Sequence, residues 1–267
     1  MMPTTVHSIL RRLCLILFLF CPMVMADNGI SVPILTYHNF DPSVPGSMTI
    51  DTGRFEEQLR WLKDNGYTVI PLKQLVSYLQ GKTNTLPAKP VVITADDGKK
   101  SVYTYMLPLA RKYNIPVTLF IYPSAISNAS YAMTWDELRE LQKTGLFDIQ
   151  GHTYWHPNFK QEKKRQSPAD YQKFVETQLV KSKKVLEEKL NTQVTLLAWP
   201  YGIYDNDLEQ AASNAGYQMA FSIDGRSANR SDNKMAQPRY LLVEGQNMQT
   251  FEAIMKGEAK GLKQTEN

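Results

Sequence analysis

The sequence predicts an α/β domain in which helices cover a mostly parallel sheet that closes into one barrel-like unit. Three observations lead there. Continuous apolar runs such as Val91-Val92-Ile93-Thr94-Ala95 have the pattern of strands buried on both faces. Stretches with apolar residues at helical spacing separate them, and this alternation builds βαβ units. No linker or internal repeat interrupts the order after the first 26 residues. The roughly 240 residues that follow fit one barrel or sandwich, or two small domains, and the single barrel is the economical choice.

Residues 1–26 read as an export signal. Arg11 and Arg12 precede an apolar run over residues 13–25, and Ala26 supplies a small residue just before Asp27. The run is shorter than the roughly 20 residues a membrane span needs, so cleavage is expected, with no permanent span. Residues 27–267 then form the domain, with residues 256–267 as a frayed tail, and export places it in the periplasm, at the cell surface or outside. Both cysteines, Cys14 and Cys21, lie in the leader, which leaves the exported part without disulfide or thiolate chemistry. Arg11 and Arg12 are also the leader's only charges, so 28 basic residues face 26 acidic ones thereafter. That balance gives no reason to expect nucleic acid, and the basic run over residues 160–165 reads as a solvated loop face.

The elements follow in order. Residues 32–37 (VPILTY) make the first strand. Phe55, Leu59 and Leu62 share a helical face that Asn65-Gly66 closes, and Leu72, Leu75, Val76 and Leu79 mark a second helix stopped by Gly81. Residues 82–90, with two prolines, form a loop before the strand at 91–95. A helix over 101–113 is expected to kink or break at Pro108, ahead of a strand at 117–122. Thr134 and Glu137 have capping-box spacing and open a helix that reaches Lys143 and ends at Gly145. A short strand at 147–150 comes next. Tyr171, Val175, Leu179, Leu186 and Leu190 stripe one long helix. Strands at 194–199 and 217–223 flank a helix over 207–214 that Gly216 ends.

Folds of this kind carry their chemistry at the C-terminal ends of the strands. Four polar clusters fall there: His38, Asp96-Asp97-Gly98, His152 with His156, and Pro200-Tyr201-Gly202. Each has a plain alternative. Asp-Gly is ordinary turn chemistry, and His152 and His156 also suit a surface turn braced by Tyr154, Trp155 and Pro157. Taken together they suggest more. Imidazoles four residues apart converge on one ion if the segment makes a helical turn, and His with Asp suits zinc or a similar divalent metal. Two histidines and one aspartate leave a position open for water, as hydrolytic metal sites require, while the second aspartate is placed to take a proton.

Thr94-Ala95-Asp96-Asp97-Gly98, His152-Thr153-Tyr154-Trp155-His156 and Trp199-Pro200-Tyr201-Gly202 resemble three ordered motifs of the polysaccharide deacetylase (NodB-homology) family of carbohydrate esterases. The likeness spans residues 34–243 and implies a distorted (β/α) barrel. It also implies Asp96 as general base, Asp97, His152 and His156 as ligands of one divalent ion (zinc first; cobalt, nickel or iron otherwise), and the backbone N–H of Tyr201 as an oxyanion donor. The implied substrate is an acetylated polysaccharide, and the products are acetate and a free amine.

Two departures from the family pattern narrow the choice. Ala198 and Trp199 stand where the third motif carries arginine, and no histidine follows His156. An early Tyr37-His38 together with Trp199-Pro200-Tyr201-Gly202 resembles the poly-β-1,6-N-acetylglucosamine deacetylases, in which the catalytic histidine comes first. That likeness implies His38 as general acid; the alternative is a structural histidine. Trp199, Pro200 and Tyr204, with Trp155 and Tyr201, are candidates for a sugar-binding groove or for plain core. Arg239 is a further candidate at the substrate site, where it would orient Asp96 or else pack at the surface. The rivals are deacetylation of another glycan, such as peptidoglycan or chitin oligomers, and a glycan-binding protein with weak turnover.

Overall fold

A computed structural model describes residues 29–259. The expected signal at 1–26 and residues 260–267 of the expected frayed tail lie outside the described residues. The chain runs through β1 (Ile34–Tyr37), β2 (Asn39–Asp41), β3 (Thr49–Asp51), α1 (Thr52–Asp64), β4 (Thr68–Val69), α2 (Leu72–Leu79) and β5 (Pro90–Asp96). A π-helical turn (Val102–Met106) leads into α3 (Leu107–Tyr113), followed by β6 (Val117–Ile121), α4 (Trp135–Lys143), β7 (Phe147–Gly151) and α5 (Phe159–Arg165). Then come α6 (Pro168–Glu176), a second π-helical turn (Thr177–Lys181), α7 (Ser182–Leu190), β8 (Leu196–Ala198), α8 (Asn206–Asn214), β9 (Met219–Phe221), β10 (Tyr240–Leu241) and α9 (Met248–Met255).

The strands pair in parallel in the order β10-β1-β5-β6-β7-β8-β9. The sheet curls back on itself. A parallel bridge between Phe221 and Gln237 lays the chain that feeds β10 alongside β9, while Tyr240 and Leu241 pair with β1. The result is the distorted barrel expected of the sequence. Every residue of β5 is buried, as suits a central strand. Among the described residues no helix is long and apolar enough to cross a membrane.

Helix ends follow local chemistry. Thr134 and Glu137 form the full capping box on α4, and Asp205 caps α8 by accepting from Leu208 N–H. Pro108 does not break its helix. Proline lacks an N–H and crowds the carbonyl four residues back; the turn before it widens, with the Leu107 N–H reaching Val102 O. The basic run is α5 rather than a loop. Asn158 caps it, Phe159 anchors it in the core, and three basic residues occupy its last turn, where the helix dipole favours cations. A single inward apolar residue gave no periodicity to detect.

Strand alternation explains where the polar residues go. Val92, Thr94 and Asp96 share one face of β5, with Ile34 and Thr36 beside them on β1. At the closed lower end this inward face is apolar, holding Ile34, Val92, Phe120, Leu196 and Met219. Further along β1, β5 and the end of β6 the inward positions become polar, at Thr36, Thr94, Asp96 and Tyr122.

Candidate active site

Those inward positions at the strand ends surround a cavity of about 270 Å³ lined by His38, Asp96, Asp97, His152, His156 and Tyr201, among others. His38 follows β1, Asp96 ends β5, Tyr122 follows β6 and His152 follows β7. Tyr122 escaped the sequence reading, although its place two residues beyond Phe120 on the inward face was the available signal.

Asp96 is 2 % exposed and receives both prongs of Arg239: Nη1 donates to Oδ1 at 2.9 Å and Nη2 to Oδ2 at 2.7 Å. Burial alone would raise the carboxyl pKa. The Arg239 guanidinium outweighs it, through its charge and its two hydrogen bonds, and holds the group down to about 2. Arg239 is itself fully buried, its Nε donating to Ser222 O at 3.0 Å and its guanidinium stacked 5.1 Å from the Phe120 ring. The surface-packing alternative for Arg239 is thereby corrected, as is its expected place among groups that touch substrate: the guanidinium lies behind Asp96.

The histidine segment does not make the helical turn that convergence was expected to need. Thr153 and His156 both adopt positive φ, 63° and 61°, which turns the chain back within five residues. Its backbone is held from behind. Gln178 Oε1 accepts from Tyr154 N at 3.2 Å and Trp155 N at 3.1 Å, and Ser182 Oγ donates to Thr153 O at 2.8 Å. Gln178 belongs to the second π-helical turn, a feature often found beside functional sites.

This turn brings Nε2 of His152 and Nε2 of His156 each to 3.7 Å from Asp97 Oδ1. Such separations are too long for hydrogen bonds. Asp97 Oδ1 is buried without a partner, a costly state unless a cation takes it up. His152 Nδ1–H donates to Ala198 O at 2.8 Å, which leaves the Nε2 lone pair facing the cluster. Burial lowers the pKa of both imidazoles, that of His156 to about 3 with help from neighbouring His152. Both rings are therefore neutral, as ligands must be. Two imidazole nitrogens and a carboxylate oxygen within 4.8 Å of one another fit one divalent ion, and the donor set suits zinc among others.

His38 Nδ1 is buried in the cavity wall without a hydrogen-bond partner. Tyr201 has φ 57°, and its ring meets His156 edge-on at 4.6 Å; bonds from Gly202 N to Trp199 O and from Ile203 N to Pro200 O close this turn. Lys99 reaches 3.7 Å from Asp97 Oδ2 and stacks 4.2 Å over Tyr131, a role no motif announced. The expected sugar-stacking set divides. Trp155, Tyr201 and Tyr204 are partly exposed. Trp199 is 1 % exposed, with its indole N–H donating to Met235 O at 2.8 Å, and Pro200 is buried too. Neither offers an open face to a sugar ring, which corrects that expectation for both, although the buried Trp199 still contributes to the cavity wall.

A family model described as polysaccharide deacetylase matches residues 83–220, more than half of the chain. The chain is 26 % identical over 212 residues to the poly-beta-1,6-N-acetyl-D-glucosamine N-deacetylase of Staphylococcus aureus, covering 78 % of this chain and 71 % of that one. Its fold is similar to that of Streptococcus pyogenes deacetylase PplD in complex with acetate, with a TM-score of 0.75 and 24 % identity over 85 % of this chain and 99 % of the other. IcaB from Ammonifex degensii superposes with a TM-score of 0.73 at 23 % identity, covering 86 % and 98 %.

Proposed function

Because the chain belongs to the polysaccharide deacetylase family, we propose that it is a metal-dependent hydrolase that removes N-acetyl groups from an exported polysaccharide, with poly-β-1,6-N-acetylglucosamine as substrate. The observation that carries this reading is the division of labour between adjacent aspartates. Asp97 turns an unpartnered oxygen toward two neutral imidazoles, while Asp96 is held ionised by Arg239. The likeness to the Staphylococcus aureus enzyme supports the choice of polymer.

Asp97, His152 and His156 would hold the ion, zinc in the first instance, whose Lewis acidity polarises the acetyl carbonyl and acidifies water at the site. Asp96, ionised at neutral pH, accepts the proton of the attacking water. Arg239 keeps both carboxylate oxygens in a fixed plane, so the proton is received without reorganisation. The Tyr201 N–H donates to the oxygen on which negative charge develops. His38 gives a proton to the departing nitrogen as the C–N bond breaks, and acetate and a free amine result. Residues 1–26 direct the protein out of the cytoplasm in this reading.

Acetate release from β-1,6- and β-1,4-linked N-acetylglucosamine oligomers, with chelator and with metal restored, tests the proposal. Release from the β-1,6 series that chelator abolishes and zinc restores is the expected result. Full activity in chelator would overturn the metal assignment, and preference for the β-1,4 series would overturn the substrate.

A further inference from the structure

Lys99 is the one lysine or arginine among the described residues that line the catalytic cavity, and neither the metal cluster nor the proposed proton transfers use it. Its place follows from the turn after β5. Asp97 and Gly98 both take positive φ, 74° and 72°, which reverses the chain and returns Lys99 to the side of Asp97. Glycine suits position 98 twice over, since a Cβ there would also stand 3.0 Å from Ile126 Cδ1 and 3.1 Å from Ile121 Cδ1. The segment after β6 straps this turn, with Lys100 N donating to Tyr131 O at 2.8 Å and Met133 N to Gly98 O at 2.9 Å. The strap also restrains the ammonium. Lys99 Nζ lies 4.2 Å from the centroid of the Tyr131 ring, and the Tyr131 hydroxyl is tied to that of Tyr122 at 2.9 Å. A cation is attracted to an aromatic face, so a long side chain is kept at the cavity instead of swinging out to solvent. The Lys99 side chain is 26 % exposed, and its ion-pair contact, Asp97 Oδ2, stands 3.7 Å away, beyond hydrogen-bond range.

The charges at the site give the class of ligand such an ammonium would meet. Asp96 is matched by Arg239, and Asp97 faces Lys99 at longer range. A divalent ion on Asp97, His152 and His156 therefore leaves the cavity with an excess of positive charge, which favours an anion and disfavours a cation. The proposed reaction supplies that anion. Hydrolysis turns an uncharged acetamide into an ammonium, which stays on the sugar, and the carboxylate of acetate. Acetate is small enough for a cavity of about 270 Å³. Its carboxylate and the Lys99 ammonium make a hydrogen bond charged at both ends, which the neutral acetamide cannot match. We propose that Lys99 holds the carboxylate of released acetate, so that the enzyme is restrained by its own product. This rests on the acetyl-releasing activity proposed above.

The test follows the NMR signal of carboxyl-labelled acetate as the full chain, kept saturated with zinc, is added to it. In parallel, acetate is used to inhibit the release of free amine from an N-acetylglucosamine disaccharide. Lys99→Met keeps the length of the side chain and removes its charge. Its dissociation and inhibition constants for acetate should rise about tenfold, in line with the loss of a hydrogen bond between charged groups. KM for the uncharged disaccharide should change far less. Lys99→Arg keeps a cation at the position and should recover most of the acetate affinity. Tyr131→Leu keeps the lysine but removes its platform, and should weaken acetate binding about threefold. Saturating zinc ensures that these changes do not report loss of the ion. The inference falls if the parent leaves the acetate signal unchanged, or if Lys99→Met binds acetate as tightly as the parent. It falls also if KM and the acetate constants rise together, since Lys99 then only shapes the cavity. Failure to release amine from any sugar would overturn the proposed activity, while the acetate titration would still decide the role of Lys99.

Discussion

Arg239 and Asp96, 143 residues apart in sequence, meet in a two-pronged ion pair that both residues keep out of solvent. The motif that resembles the family's arginine-bearing one has Ala198 and Trp199 before its proline. The guanidinium comes instead from the segment that closes the barrel between β9 and β1. A carboxylate proposed to move a proton is thus oriented by the last strand rather than by its neighbour's loop.

Replacing Arg239 with glutamine leaves a buried carboxylate without its counter-charge. About 3–5 kcal/mol of stability should be lost, as is usual when one partner of a buried pair is removed. With the guanidinium gone, burial dominates and raises the Asp96 pKa, so the acid limb of the pH–rate profile should move to higher pH. Arg239→Lys keeps the charge but not the fork, and should restore more stability than turnover. An unmoved acid limb in Arg239→Gln would contradict Asp96 as the base.

His156→Ala removes one of three converging donors. Metal content by mass spectrometry should fall by about tenfold or more, and acetate release with it, while the fold persists because the neutral ring carries no buried charge. Undiminished zinc binding in this variant would show that Asp97 and His152 hold the ion with some other group.

Much of this site was legible because it obeys strand arithmetic. His38, Asp96 and His152 all end inward-facing runs, and apolar strands of four or more residues announce their own ends. Arg239 was legible as a candidate but not as to its place, since β10 is two residues long and has no apolar run to mark it. β2, β3 and β4 escaped for the same reason. The geometry of the histidine turn was out of reach for another reason. Threonine and histidine at positive φ are uncommon, and contacts from a helix more than twenty residues downstream stabilise them here.

Gln178 is the residue by which that downstream helix supports the histidines. Its Oε1 accepts from two successive backbone N–H groups of the turn. Gln178→Ala orphans both donors, so the turn should loosen and zinc affinity drop about tenfold, as when the outer supports of a metal site are removed. Competition with a chromophoric chelator measures this directly; unchanged affinity would mean that Thr153 and Ser182 suffice to hold the turn.

Acid should destabilise the metal-free protein well above the usual carboxylate range. Unfolded histidines titrate near 6.5, whereas burial lowers His152 and takes His156 down to about 3. Above about pH 6.5 neither state binds these protons and the two rings add no pH dependence. As the pH falls further the unfolded chain takes up protons that the folded chain refuses, so stability declines until His156 also protonates near pH 3. Asp96, held to about 2 against about 3.9 unfolded, adds a loss of the same sign below about pH 4. Urea midpoints measured in chelator should drop steadily from pH 6.5 to 4.5, and a flat profile would contradict the buried neutral pair.

His38 can be tested through the leaving group rather than the fold. An amine departs from a tetrahedral centre only after it gains a proton, whereas a nitrophenolate departs without one. If His38 supplies that proton, His38→Ala should lose about 10²- to 10⁴-fold in kcat on N-acetylated sugars. On nitrophenyl acetate the same variant should stay within a few-fold of the parent, because Asp96, Asp97, His152 and His156 are untouched. The two substrates separate acid catalysis from structural support: a buried histidine that merely shaped the cavity wall would, when removed, depress both reactions alike. Equal losses on amide and ester would therefore remove His38 from the proposed mechanism and leave the leaving-group proton to another residue.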